Sequence, residues 1–138
     1  MSPKILVVDD NDLSRLLLHD VLTQAGFSVR LAVHGAEGVS MAQEERPDLI
    51  LLDIQMPVMN GLEAGRLLRS DPRTEGIVIL ALSSFNLLED KDNFFATGFD
   101  GYIAKPIDIR ALPGIILKYL SSPGVTADEQ PKTTNTLC

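Results

Sequence analysis

The chain lacks the features that would place it in several common classes. Its one cysteine is the last of 138 residues, Cys138, so no internal disulfide can form and no metal-ligand spacing or four-residue prenylation motif surrounds it. That usage fits a reducing compartment, and a cytoplasmic location is expected. Basic residues are few: 12 Lys and Arg stand against 19 Asp and Glu, a formal charge of -7, and a nucleic-acid footprint would need a Lys/Arg-rich patch. Direct nucleic-acid binding is disfavoured. No apolar run approaches the ~18 residues of a membrane span, and Met1 to Lys4 leads straight into a strand pattern without a basic-then-apolar signal segment. Membrane insertion is not expected. A glycine-rich phosphate loop is also missing after the first strand, where Asp9-Asp10-Asn11-Asp12 would repel phosphate unless a cation intervened.

What is present suits one globular domain, with 45% hydrophobic and 22% charged residues. Five apolar, β-branched runs recur: Ile5 to Val8, Val29 to Ala32, Leu49 to Leu52, Ile77 to Leu82 and Tyr102 to Ala104. Helical spacing fills the gaps. In the first gap Leu13, Leu16, Leu17, Val21 and Leu22 follow an i, i+3, i+4 pattern, with Asn11 or Asp12 as cap and Gly26 as stop. Ala36, Val39 and Ala42 predict a second helix, Leu62 to Leu68 a third opened at Asn60-Gly61, Leu87 to Ala96 a fourth ended by Gly98, and Ile109 to Leu120 a fifth. In that fifth helix Pro113-Gly114 falls one turn after the cap candidate Asp108, so the helix either begins late or is kinked. Strands that are apolar on both faces and alternate with helices imply a buried parallel sheet, a three-layer (βα)5 α/β sandwich. Residues 1–120 form the folded unit, and 121–138, with Pro123, Gly124, Pro131 and little apolar periodicity, is expected to be a flexible tail.

Chemistry gathers at the ends of the strands. Asp9 and Asp10 follow the first, Asp53 the third, Ser83 ends the fourth, and Lys105-Pro106 follows the fifth. In open α/β sheets ligands bind beyond the carboxyl ends of strands, so these groups predict one site. Three converging carboxylates repel unless a cation sits among them, and hard oxygen donors favour Mg2+. A carboxylate, a metal, a hydroxyl and an ammonium suit phosphoryl transfer, with Asp53 as nucleophile forming an acyl phosphate and Ser83 and Lys105 contacting phosphoryl oxygens.

From Pro3 to Leu120 the chain resembles the receiver domains of two-component response regulators. The residues that carry the likeness are Asp9-Asp10, the segment from Asp53 through Gln55, Met56 and Pro57 to Asn60-Gly61, Ser83 after Ile79 to Leu82, and Lys105-Pro106. The resemblance implies a flavodoxin-like, doubly wound sheet of five parallel strands in order 2-1-3-4-5. It implies phosphate received by Asp53 from a phosphohistidine, Mg2+ held directly by Asp10, Asp53 and the Gln55 carbonyl, and Asp9 acting largely through metal-bound water. It further implies a switch in which Ser83 is drawn to the phosphoryl group and Tyr102 turns inward, changing the face made by the fourth helix, fifth strand and fifth helix. Pro106 is expected in the cis form on the same ground.

The resemblance implies a signalling protein rather than an enzyme, in the style of stand-alone receivers. Expected partners are a sensor histidine kinase or histidine phosphotransfer protein and a downstream protein target, with the chain a monomer or weak dimer. Leu13, Ser14 and Leu18 of the first helix form the expected docking patch for a histidine-bearing helical bundle. Phe85, bulky where water reaches the acyl phosphate, predicts slow dephosphorylation. Two rivals remain. A Mg2+-dependent phosphatase using Asp53 would need a general acid/base close by, where the sequence offers Ile54-Gln55. A receiver-like module that binds without phosphorylation is disfavoured because every acceptor-site group is present. His19 and His34 have no ligand spacing and are expected to be structural.

Overall fold

Runs of β-branched and leucine side chains without polar alternation can be buried only where both faces of a strand are covered. Such runs form the middle of this molecule. The computed structural model describes residues 3–53, 61–83, 98–104 and 107–121. Five strands, β1 (Lys4–Val8), β2 (Ser28–Ala32), β3 (Leu49–Asp53), β4 (Val78–Ser83) and β5 (Gly101–Ala104), pair in parallel in the order β2-β1-β3-β4-β5. Four helices are found among the described residues: α1 (Asp12–Gln24), α2 (Gly35–Glu45), α3 (Gly61–Ser70) and α4 (Leu112–Ser121). The predicted helix at Leu87 to Ala96 and the tail from residue 122 lie outside the described residues. No helix among them is long and apolar enough to cross a membrane.

Successive strand residues point to opposite faces, and the core divides accordingly. Ile5, Val7, Leu49, Leu51, Leu80 and Leu82 pack with Leu18 and Leu22 of α1 and Leu112, Ile116 and Tyr119 of α4. Leu6, Val8, Ile50, Leu52, Ile79 and Ala81 pack with Ala42 of α2 and Ala64 and Leu68 of α3. The result is the three-layer sandwich. Close approach of α2 needs Gly38, where a Cβ would press on the Val8 methyl groups at 2.7 Å.

The ends of α1 are built from its own sequence. Asn11 Oδ1 accepts the Ser14 N–H at 2.9 Å. At the other end Gly26, with φ +99°, donates to the Thr23 carbonyl while Phe27 N–H reaches Leu22, and Phe27 shares the apolar cluster of Leu22. This is a Schellman termination, which requires the left-handed residue that glycine supplies.

One expectation is corrected and one open alternative is decided. The apolar pattern read for α1 is not one buried stripe: Leu13 is 78% exposed, and Leu16 and Leu17 are also exposed, while Leu18 and Leu22 are buried. Four leucines among residues 13–18 leave the inward face ambiguous by periodicity, and packing against β1 selects the face of Leu18 and Leu22. The last helix takes the late start that Pro113-Gly114 left open, at Leu112. The Asp108 carbonyl and carboxylate close a turn onto Arg110, Ala111 and Leu112, and Pro113 then sits in the first turn, where its missing N–H costs little.

Candidate metal and phosphoryl site

The parallel register brings the acids together. Val8 is level with Ala32 on one side and with Leu52 on the other, so Asp9 and Asp53 leave adjacent strands at the same height. The ladder runs one rung beyond β1, with Asp9 N–H donating to the Ala32 carbonyl at 3.2 Å. Asp9 is fully buried and Asp53 is 3% exposed, while Asp10 is exposed. One oxygen from each of the three carboxylates lies within 4.8 Å of the others.

Like charges at that spacing repel by on the order of 3 kcal/mol per pair at an effective dielectric near 20. A divalent cation offsets this repulsion, and three hard carboxylate oxygens, one of them open to solvent, fit Mg2+ with room for waters. The donor set therefore suits the metal the sequence implied. The Asp9 carboxylate is oriented by the Asn11 N–H, which donates to its Oδ1 at 2.9 Å.

The remaining predicted groups are placed unequally. Ser83 is the last residue of β4, level with Ala104 of β5 and one position beyond Leu82, the partner of Asp53. Only its backbone is described. Lys105 follows Ala104, but Lys105, Pro106, Gln55 and Phe85 lie outside the described residues. Tyr102 is half-buried and packs on the α2 and α3 side of the sheet, opposite Ala81. Of the expected docking residues, Leu13 is exposed and Ser14 half-buried, whereas Leu18 is 1% exposed and belongs to the core. Leu18 cannot offer its side chain to a partner; the apolar surface of α1 is Leu13, Leu16 and Leu17.

Two residues gain roles that spacing alone did not assign. Arg15 donates from Nη1 to the Asp9 carbonyl at 2.8 Å and pairs through Nη2 with Asp12. Its sequence signal is a cationic residue on the helix face that carries Leu18 and Leu22. His34 is structural, as its lack of ligand spacing suggested, and its role is specific: Nδ1 caps α2 by accepting the Glu37 N–H at 3.2 Å, while Glu37 Oε1 accepts the Val33 N–H at 2.7 Å. This is a reciprocal cap, a relative of the Ser/Thr capping box with imidazole as acceptor.

Comparisons with known proteins agree with this geometry. Residues 5–117 match the family model described as the response regulator receiver domain. The polar-differentiation response regulator DivK of Brucella anthropi is 33% identical over 120 residues, covering 87% of this chain and 98% of that protein. Among solved structures, the chemotaxis response regulator CheY4 of Vibrio cholerae superposes with a TM-score of 0.81 at 31% identity, covering 86% of this chain and 98% of that one. The receiver domain of the sensor histidine kinase PA1611 from Pseudomonas aeruginosa, solved with a magnesium ion in its active-site cleft, gives a TM-score of 0.81 at 30% identity, covering 88% and 100%.

Proposed function

As the chain belongs to the response regulator receiver family of two-component signalling, we propose that Asp53 is its phosphoacceptor and that Asp9, Asp10, Asp53 and the Gln55 carbonyl hold Mg2+. The observation that carries this reading is the convergence of three carboxylates at the carboxyl ends of β1 and β3, two of them buried.

An Asp53 carboxylate oxygen attacks the phosphorus of a phosphohistidine, the P–N bond breaks, and the electron pair leaves with the imidazole, which takes up a proton. The product is an acyl phosphate on Asp53. Mg2+, when bound, neutralises charge on the phosphoryl oxygens. Burial of Asp53 limits the water that competes for the same phosphorus. Lys105 supplies an ammonium to a phosphoryl oxygen and Ser83 a hydroxyl; Ser83 ends β4, the neighbour of the strand that ends in Asp53, and Lys105 follows β5, one strand further on.

Withdrawal of Ser83 toward the phosphoryl group makes space for Tyr102, and the surface around β5 changes its population of states. Receiver domains interact with histidine kinases and downstream targets; here a sensor kinase or histidine phosphotransfer protein is proposed to meet Leu13, Ser14, Leu16 and Leu17 beside the acids, in the cytoplasm. An exposed apolar stripe next to a polar reaction centre has the composition of a protein interface.

Intact mass after incubation with acetyl phosphate and Mg2+ tests the reading. A single phosphoryl adduct is expected in the wild type and is expected to disappear in Asp53→Asn or with chelator. An adduct that survives Asp53→Asn would place the acceptor elsewhere.

A further inference from the structure

We propose that Arg15 is a positioning residue for the acidic site: it grips the Asp9–Asp10 peptide so that both carboxylates stand ready for the cation. The proposal rests on the reading of Asp9, Asp10 and Asp53 as a Mg2+ site.

Position 15 belongs to the inner face of α1, since Leu18 and Leu22 follow at helical spacing and are buried. An arginine on such a face is costly unless its guanidinium finds partners. Here the side chain is only 16% exposed, and it has a partner on each side of the cap Asn11: the Asp9 carbonyl at 2.8 Å in the turn before the helix and the carboxylate of Asp12, the first residue of the helix. The gripped carbonyl lies in the planar peptide unit that joins Asp9 to Asp10, so one contact constrains the roots of two metal-facing side chains.

Residue 9 is thereby held on three sides. Its N–H bonds to Ala32 of β2, its carbonyl to Arg15, and its carboxylate accepts the Asn11 N–H. The first and third contacts come from backbone groups that almost any sequence supplies. The second depends on one side chain. Arg15 N–H also donates to the Asn11 carbonyl at 3.0 Å, so the turn and the helix are closed on each other by the same residue.

The sign of one measurement separates positioning from mere charge. A guanidinium close to a cation site repels the cation, so by Coulomb's law alone its removal tightens Mg2+ binding. If Arg15 positions the acids, its removal weakens binding. Partners of this indirect kind alter metal affinity by about 10- to 100-fold in other sites.

The experiment is a calorimetric Mg2+ titration of the full chain as wild type, Arg15→Met and Arg15→Lys, with a thermal melt of each. Arg15→Met is expected to bind Mg2+ about tenfold more weakly while still melting cooperatively. Arg15→Lys is expected to lie between, because one ammonium cannot span a carbonyl and a carboxylate as the guanidinium fork does. In the acetyl phosphate reaction, the Mg2+ needed for half-maximal rate is expected to rise by the same factor, with the rate at saturating Mg2+ retained. A folded Arg15→Met that binds Mg2+ as tightly as wild type, or more tightly, overturns the proposal; so does an Arg15→Lys equal to wild type, which also decides the matter if Arg15→Met fails to fold. Wild type that binds no Mg2+ overturns the site reading and this inference together.

Discussion

The hydroxyl of Tyr119, on α4, fills the space that a Cβ at Gly101 would occupy. Gly101 opens β5, and Tyr119 is buried in the core layer beneath it, so glycine is required here for room. Gly101→Ala is expected to destabilise the fold by about 1–3 kcal/mol through overpacking. A urea midpoint measures this. The cost should shrink in a Tyr119→Phe background, where the nearest atom is gone; equal costs in both backgrounds would count against the contact.

Arg69 closes the amino ends of β4 and β5, the end of the sheet away from the acids. Its Nε donates to the Gly98 carbonyl at 2.6 Å, its Nη1 to the carbonyls of Glu75 and Ile77 at 2.7 and 2.6 Å, and its Nη2 pairs with Asp100, whose Oδ2 also accepts the Ile79 N–H at 2.8 Å. A lysine cannot reproduce that fan of donors, and Arg69→Lys is expected to cost about 2–4 kcal/mol, given the strength of hydrogen bonds to charged groups. Amide exchange at Ile79 should accelerate with it. Protection unchanged at Ile79 would separate Arg69 from the start of β4.

Adjacent leucines on α1 should behave oppositely. Leu18→Ala is expected to lose about 2–5 kcal/mol, as for other buried leucines, while Leu17→Glu stays within about 0.5 kcal/mol of wild type. The same Leu17→Glu protein should accept phosphate normally from acetyl phosphate and slowly from a phosphohistidine protein. Comparable stability losses at the two positions would mean that α1 is rotated from the orientation described.

Acid should loosen the turn after α3. The Asp71 carboxylate accepts from the Arg73 guanidinium and backbone N–H and from Gln43, and these contacts, the Arg73 side chain first, hold its pKa at about 2 against an ordinary 3.8. A carboxyl whose folded pKa is depressed adds stability that is whole above the unfolded value and is lost as pH falls through the folded one. The contribution of Asp71 therefore fades between about pH 4 and pH 2. Asp71→Asn is expected to flatten the dependence of the urea midpoint on pH in that window; parallel curves for the two proteins would exclude Asp71 as the source.

The sheet and the acids were legible in the sequence because both depend on local pattern. Strands buried on both faces are unbroken apolar runs, as in Leu49 to Leu52, and the acids at positions 9, 10 and 53 follow such runs directly. Helix orientation was less legible. Leucines at 13, 16, 17 and 18 satisfy more than one inward face, and contact with the sheet decides between them. The start of α4 turned on whether Asp108 caps the helix or a separate turn before it, a distinction of hydrogen-bond geometry rather than residue type. Gly101 and Arg69 could not be assigned from sequence at all, since their partners are remote along the chain.

Among the described residues, the alternation of β1, β3 and β4 leaves the two halves of the hydrophobic interior with no shared side chain: Ile5 and Val7 belong to one, Leu6 and Val8 to the other. The sheet is a partition. Substitutions on opposite sides of it should combine nearly additively, whereas those within one side should not. Each helical layer is thus a separate unit of variation. The layer that presents the α1 leucines can drift toward a new partner while the α2 and α3 layer, and the strand carrying Asp53 between them, keep their packing.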